Sequence, residues 1–246
     1  VMGGGPGGYT AARRASQLGL RVILVEKAEL GGVCLNWGCI PTKSLIHSAH
    51  VLRLVRHAGQ YGIRVEEPEF DLQAMVARAR STADELGKGI SILMRKNGVE
   101  VIYGAAQFID QSSVFVGKQV IKAKNIVIAT GAVPKGVAGL EPDGKRIWGA
   151  RSAMTPEFLP ETLLIVGGGA IGLEFASFYS ALGCNVTVLE LEDRLLATED
   201  AEVSEFVEKQ LRGEGIEVIT GTAIGVVTPT TQCVKVSIAG KLMPFD

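Results

Sequence analysis

The stretch Leu-Leu-Ile-Val-Gly-Gly-Gly-Ala-Ile-Gly at residues 163–172 predicts a buried strand, a tight glycine turn and the start of a helix. A second stretch of this kind, Gly-Gly-Gly-Pro-Gly-Gly at residues 3–8, follows two apolar residues. In each copy the next strand ends on an acid about 20 residues after the turn, at Glu26 and at Glu190. This order of strand, turn, helix, strand and acid is the pattern of a dinucleotide-binding unit.

The residue types in these turns suit a pyrophosphate. Glycine lets the backbone approach the ligand, and the helix start offers unpaired N–H groups and the positive end of the helix dipole. An acid at the end of the second strand can bind the ribose hydroxyls and repels a 2′-phosphate, so Glu190 favours NAD over NADP. A tight turn without any nucleotide is the alternative for one copy, and it is much weaker for both copies together.

Between the two turns lies the sequence Cys34-Leu-Asn-Trp-Gly-Cys39. Two cysteines five residues apart at the junction of a loop and a helix can form a redox-labile disulfide. A helix N-terminus or a nearby cation lowers the pKa of a thiol, and Lys43, four residues after Cys39, is expected on the same helical face. A structural disulfide and half of a metal site are the alternatives. The first is rare in a chain that otherwise has an intracellular composition, and the second lacks another ligand pair.

The remaining cysteines and the histidines give weaker signals. Cys184 and Cys233 are isolated, and we expect both to be small buried core residues. The three histidines fall on or near one predicted helix and are interpreted as packing or surface residues, with no metal site: His47, His50 and His57.

Composition limits the class of protein and of partner. The formal net charge of −1 gives no attraction towards nucleic acid, and no apolar run is long enough for a membrane span. Few aromatic residues, 6%, indicate an aliphatic core of the kind that parallel sheets use. We also expect a long helix over residues 71–97, a buried strand over 125–130, a proline-rich crossover over 133–160 and a final β-meander.

The run Gly-Gly-Val-Cys-Leu-Asn-Trp-Gly-Cys-Ile-Pro-Thr-Lys at residues 31–43 resembles the redox signature of the class I flavin disulfide reductases. The resemblance extends to the first glycine turn, to residues 129–131 and to residues 165–174. It implies an α/β protein with two Rossmann-like, glutathione-reductase-type domains. Each would have three layers, a parallel sheet and a β-meander. Residues 1–148 would bind FAD and carry the disulfide, and residues 149–246 would form an incomplete NAD-binding domain.

The resemblance also implies roles for individual residues. Cys39 would be the thiolate against the flavin and Cys34 the thiol that exchanges with substrate. Lys43 would lie near the flavin N5 and pair with Glu174. The FAD-binding residues would be Gly3, Gly5, Pro6, Gly8, Glu26, Lys27, Gly32, Val33, Lys43, Gly104, Ala105, Thr130 and Gly131. The NAD-binding residues would be Gly167, Gly169, Ile171, Gly172 and Glu190.

Within the family, the residues of the cysteine motif and the acid at Glu190 most resemble those of the dihydrolipoamide dehydrogenase branch. That branch passes electrons from protein-bound dihydrolipoamide through the disulfide and FAD to NAD+. Glutathione or mercuric reductases and a non-catalytic flavoprotein fragment are the alternatives.

The resemblance implies a lipoyl carrier domain of a 2-oxo acid dehydrogenase complex as partner, and a homodimer in the full-length form. It implies a bacterial cytoplasm or the mitochondrial matrix as the compartment. We expect a few residues before Val1. Beyond Asp246 we expect a dimerisation domain with the catalytic base, so that this piece alone is weakly active.

Overall fold

The computed structural model describes residues 1–137 and 139–246, which form two compact units. The first unit contains residues 1–41 and 78–134, and the second contains residues 42–77 and 135–246. The long helices α3 (Cys39–Arg56) and α4 (Leu72–Lys96) begin in one unit and end in the other. The assignment of residues 1–148 to FAD and of 149–246 to NAD stays a prediction.

The first unit contains one parallel and one antiparallel sheet. Strand β1 pairs in parallel with β2, and Met2 forms parallel bridges to Val25 of β1 and to Ile128. The antiparallel sheet has the strand order β3-β4-β5. The elements of this unit are α1 (Pro6–Gln17), β1 (Ile23–Glu26), α2 (Gly32–Trp37), β2 (Glu100–Tyr103), β3 (Ala106–Asp110), β4 (Ser113–Val116) and β5 (Gln119–Lys122).

Neighbouring side chains of β1 point to opposite faces of the sheet, and they pack against different layers of this unit. Leu24 is fully buried and packs with Ala12 of α1 and Met94 of α4. The next residue, Val25, points to the opposite face and packs with Val114 of β4. Since successive side chains of a strand face opposite sides, the parallel sheet lies between a helical layer and the β-meander. The predicted fold class is confirmed.

The second unit repeats this plan. Strands β6, β7 and β8 form a parallel sheet in that order, and β9, β10 and β11 form a meander that buries Leu189 of β7. The elements are α5 (Ala150–Ala153), β6 (Thr162–Val166), α6 (Ala170–Ala181), β7 (Asn185–Leu189), α7 (Ala201–Gly213), β8 (Glu217–Ile219), β9 (Ile224–Pro229), β10 (Val234–Ile238) and β11 (Lys241–Phe245), with a 3₁₀ turn at Ala58–Tyr61. Among the helices of residues 1–137 and 139–246, none has the length and apolarity that a membrane crossing requires.

The predicted buried strand over residues 125–130 is wrong in two respects. Val127 and Ile128 are 45% and 65% exposed, and the segment makes one β-bridge instead of a ladder. The reason is that, among residues 1–137 and 139–246, only Met2 pairs with this segment: its amide donates to the Val127 carbonyl, and its carbonyl accepts from the Ala129 amide. The strand β3 was not predicted, because Phe108 and Ile109 at its centre face solvent and give no buried pattern.

The two cysteines outside the redox motif differ in environment. Cys184 is buried, as predicted, and this burial, with a smaller contribution from the charge of Asp246, raises the pKa of its thiol to about 12. Cys233 is only half-buried, so its prediction as a core residue is wrong. It lies at the edge of the meander, where the Thr230 hydroxyl donates to its carbonyl oxygen.

This difference predicts selective labelling of the oxidised, folded protein. A thiol-specific reagent should modify Cys233 and leave Cys184 unmodified, because only thiolate reacts and Cys184 is both buried and protonated. Mass spectrometry of peptides after labelling measures this, and Cys184 should react once denaturant is added. Rapid labelling of Cys184 in the folded protein would contradict the buried placement.

Candidate functional site

The first glycine turn is folded so tightly that side chains have no room. Gly3 has a positive φ of 102°, which favours glycine. A Cβ at Gly3 would overlap the Ala129 carbonyl oxygen, and a Cβ at Gly8 would overlap the Gly3 carbonyl oxygen. Gly5 is the N-cap of α1, and Pro6 is its first residue, a position where proline is favoured. The turn therefore presents bare backbone at the start of a 12-residue helix.

A buried acid holds this turn in place. Glu26, at the end of β1, accepts a hydrogen bond from the Gly4 amide at Oε2 (2.6 Å) and one from the Ala28 amide at Oε1 (2.8 Å). Each carboxylate oxygen keeps a second lone pair, which is the acceptor that a ribose hydroxyl requires. A Cβ at Gly4 would come within 2.7 Å of Leu30 Cδ2, so a larger residue there would require the leucine side chain to move.

The second turn reproduces these contacts in the second unit. Gly167 has a φ of 111°, and a Cβ at Gly172 would overlap the Gly167 carbonyl oxygen. Glu190 accepts from the Gly168 amide at Oε2 (2.5 Å) and from the Glu192 amide at Oε1 (2.9 Å). The internal repeat therefore extends to individual hydrogen bonds. The sequence analysis did not include Gly4 and Gly168 in the site, although each is the middle residue of a run of three glycines, which was a signal.

These bonds predict the effect of neutralising the acid. In Glu190→Gln the amide has one acceptor oxygen for two backbone N–H donors, so one donor loses its partner. We expect NADH to bind roughly ten-fold more weakly, the equivalent of one charged hydrogen bond. Titration of NADH fluorescence measures this, with the exposed Glu192→Gln as the matched control. Equal NADH affinity in Glu190→Gln and wild type would contradict the role given to the carboxylate.

Helix α2 begins beside the start of α1. The Gly31 amide donates to the Gly4 carbonyl oxygen (2.9 Å), and Gly32 has a φ of 68°. A Cβ at Gly32 would lie 2.6 Å from the Gly5 Cα and 3.2 Å from the Pro6 Cδ. Two helix starts thus share one corner that only glycine can occupy. The first amides of a helix have no partner within the helix, and such groups are suited to bind phosphates. The role of this corner in holding the diphosphate of FAD stays a prediction.

The predicted disulfide between Cys34 and Cys39 is present in the first unit. Their Cα atoms are 4.7 Å apart, because the chain reverses at Gly38 between the end of α2 and the start of α3. A Cβ at Gly38 would lie 3.0 Å from the Val33 carbonyl oxygen and 3.1 Å from the Cys34 Cα. Cys39 is the first residue of α3, where the helix dipole stabilises a thiolate.

Side chains from two directions hold the chain between these cysteines. The Asn36 amide donates to the carbonyl oxygens of Leu30 (2.9 Å) and Gly32 (3.0 Å). Arg80, on α4 in the same unit, donates to the Asn36 carbonyl oxygen, and its guanidinium carbon lies 3.9 Å from the centre of the Trp37 ring. Sequence reasoning missed Arg80, because nothing in the spacing relates it to the cysteine motif.

Lys43 and Glu174 form the ion pair that the resemblance implied. Their Nζ and Oε1 atoms are 2.5 Å apart, and both residues belong to the second unit. The lysine side chain is 62% exposed and that of the glutamate 30% exposed. The role of the pair beside a flavin stays a prediction.

The exposure of this pair predicts a small effect on stability. Lys43→Met should change the free energy of unfolding by less than about 0.5 kcal/mol, since solvent screens exposed ion pairs. Urea denaturation measures it, and Glu174→Gln should behave in the same way. A loss of several kcal/mol in the free energy of unfolding would contradict this and would show that the ion pair stabilises the fold.

The other predicted cofactor residues surround the first turn or lie on its surface. Gly104 donates to the Glu26 carbonyl oxygen (2.8 Å), and a Cβ there would lie 2.8 Å from Val116 Cγ1. A Cβ at Gly3 would be 3.1 Å from the Thr130 Cα, so Thr130 lies against the turn. Gly169 is the N-cap of α6. The structure places the remaining predicted residues at exposed positions without a contact that defines their role: Lys27, Val33, Ala105, Gly131 and Ile171.

The family model described as pyridine nucleotide-disulphide oxidoreductase matches residues 1–242. This chain belongs to that family. Members use FAD and a pyridine nucleotide, which confirms the cofactor classes expected from the motifs.

The chain is also similar to individual relatives and to solved structures. The dihydrolipoyl dehydrogenase of Zymomonas mobilis is 46% identical over 245 residues, which are 98% of this chain and 53% of the relative. That of Rhizobium etli is 41% identical over 244 residues, 91% of this chain and 51% of the relative. The crystal structure of LpdA from Mycobacterium tuberculosis superposes with a TM-score of 0.90 at 27% identity, over 99% of this chain and 56% of LpdA. The flavoprotein disulfide reductase RclA of Escherichia coli has a TM-score of 0.84 at 28% identity, over 100% of this chain and 54% of RclA. The chain spans about half the length of the curated relatives it matches.

Proposed function

We propose that this chain is the FAD- and NAD-binding part of a dihydrolipoyl dehydrogenase. The observation that carries the proposal is the Cys34–Cys39 disulfide at the start of α3, in one chain with two glycine turns that are each held by an acid. The relatives at 37–46% identity that carry this name support dihydrolipoamide as the substrate. Lipoamide is a five-membered cyclic disulfide, and a protein dithiol is its natural exchange partner.

The chemistry of the cysteines follows from thiol–disulfide exchange. A thiolate of dihydrolipoamide attacks the sulfur of Cys34, forming a mixed disulfide and releasing the Cys39 thiolate. The second thiol of the substrate then attacks the other substrate sulfur, which is bonded to Cys34, and so releases the Cys34 thiolate. Two electrons and two protons have moved from the substrate to the protein, and lipoamide leaves oxidised. A bound FAD would supply the two-electron chemistry that connects the reduced cysteine pair with NAD+.

The protein's own contribution is to hold the reacting groups in position. The start of α3 stabilises the Cys39 thiolate, and the corner shared by α1 and α2 would hold the diphosphate of FAD. Glu26 and Glu190 hold the two turns and offer acceptors to ribose. A carboxylate at Glu190 favours NAD, because a 2′-phosphate would face its negative charge.

The proposed function implies a partner protein that carries the substrate and an oligomeric state. The substrate would be carried by a lipoyl domain of a 2-oxo acid dehydrogenase complex, and the full-length form would be a homodimer. The relatives named above come from bacteria, which favours the bacterial cytoplasm over the mitochondrial matrix as the compartment.

Anaerobic reduction of the flavin-loaded protein tests the proposal. The first two electrons from dithionite should produce two new thiols, those of Cys34 and Cys39, with little bleaching of the flavin absorbance. NADH should reduce the protein much faster than NADPH, and lipoamide should then be reduced. Preference for NADPH, with glutathione disulfide as the better acceptor, would favour the glutathione reductase branch and contradict the proposal.

A further inference from the structure

Arg80 lies on α4 and reaches the loop between the two cysteines. Its guanidinium donates to the Asn36 carbonyl oxygen and lies over the Trp37 ring at 3.9 Å. The arginine side chain is 22% exposed, whereas its ion-pair partner Asp84, at 3.6 Å, is 61% exposed. The well-packed contacts of Arg80 are therefore those made with the loop, and the contact with Asp84 is a longer, solvated one.

The chemistry of this contact requires an arginine. Helix α2 ends at Trp37, so the Asn36 carbonyl lies in the last turn, where carbonyl groups have no partner within the helix. A planar guanidinium can stack on an aromatic face while its N–H groups donate in its own plane. One side chain thus fixes two of the four residues that separate the sulfurs in sequence, Asn36 by its backbone and Trp37 by its ring.

We propose that Arg80 is a positioning residue for the redox pair, and that it makes the disulfide more stable relative to the dithiol. The proposal rests on the redox role inferred above for Cys34 and Cys39. Reduction breaks the S–S bond and frees the loop, and reoxidation has to remove that freedom again. A loop that Arg80 still holds has less freedom to lose, so the held dithiol re-forms its bond more readily.

An exchange equilibrium with dithiothreitol measures this effect in the flavin-loaded protein. One dithiothreitol molecule gives two electrons and two protons to the protein disulfide and becomes its own cyclic disulfide, so the reaction balances without another oxidant. Arg80→Met keeps the length and apolar stem but removes the planar cation. We expect the ratio of disulfide to dithiol to fall about ten-fold, which corresponds to about 30 mV for a two-electron couple. Arg80→Lys keeps the charge without the planar fork and should give an intermediate value.

Two further variants separate positioning from general stability. Asp84→Asn removes the exposed ion-pair partner and should leave the ratio within about two-fold of wild type. Trp37→Leu should shift the ratio in the same direction as Arg80→Met. The double variant should shift it little beyond Arg80→Met, because the stacking contact that Trp37→Leu removes is already lost when Arg80 is replaced.

The outcomes distinguish this inference from the proposed function. A ratio in Arg80→Met within two-fold of wild type, or effects of the two substitutions that simply add, would overturn the inference even if lipoamide is turned over normally. A ten-fold shift in a protein whose flavin never takes electrons from the thiols would support the positioning role and refute the dehydrogenase.

Discussion

Replacement of Cys39 by serine in the full-length protein should abolish electron transfer to a disulfide substrate, with a loss of at least about 10³-fold, as for removal of an essential catalytic side chain in other enzymes. The serine cannot form the disulfide, so the protein can no longer accept an electron pair by exchange. Oxidation of NADH with an artificial dye as acceptor should persist, because that path bypasses sulfur. Both rates are measured by NADH absorbance, once with lipoamide and once with the dye.

Comparison of the two serine variants tests which sulfur faces the flavin. In Cys34→Ser the remaining thiol is Cys39, at the start of α3, and its thiolate should give a long-wavelength absorbance band with bound FAD. Cys39→Ser should lack this band. Cys184→Ser is the matched control, since Cys184 is buried and belongs to the second unit. A band that survives in Cys39→Ser would reverse the roles assigned to Cys34 and Cys39.

The parts of the fold that depend on local sequence were predictable. A glycine turn between an apolar strand and a helix, with an acid at the end of the next strand, fixes the order of elements and one face of each sheet. The cysteine spacing was also informative, because a disulfide over five residues needs only the local reversal that Gly38 permits. These signals rest on neighbours in the chain, and the structure confirms the elements that they predict.

Long-range contacts were not predictable from the same signals. Arg80 is far from Trp37 in sequence, and only the packing of α4 brings the two together. The segment 125–130 has the apolar run of a buried strand, yet burial depends on what covers it, and in the part of the chain that the structure describes only Met2 pairs with it. The acids were predicted to face ribose. Their hydrogen bonds to Gly4 and Gly168 depend on how each turn folds back on its strand, which spacing alone does not specify.

The most severe effect on folding should come from Gly8→Ala. The added methyl group would overlap the Gly3 carbonyl oxygen, and this is backbone that cannot rotate away. Since Gly3 also lies against Ala129, moving the turn disturbs the sheet beside it. We expect a loss of about 3 kcal/mol or more in the free energy of unfolding, together with loss of FAD. Urea denaturation and the flavin absorbance of the purified protein measure the two effects.

Gly7→Ala is the matched control, because it adds the same methyl group one residue earlier. Its Cβ would meet Ala129 Cβ at 4.0 Å, an ordinary contact, and alanine favours a helix by up to about 1 kcal/mol over glycine. This variant should therefore fold and keep FAD. Gly172→Ala creates the equivalent overlap with the Gly167 carbonyl oxygen in the second unit, so it should abolish NADH binding while FAD stays bound. If Gly8→Ala and Gly7→Ala retained FAD equally, the tight packing of the turn could not be the reason for glycine at position 8. The assignment of that turn to FAD would then lose its structural support.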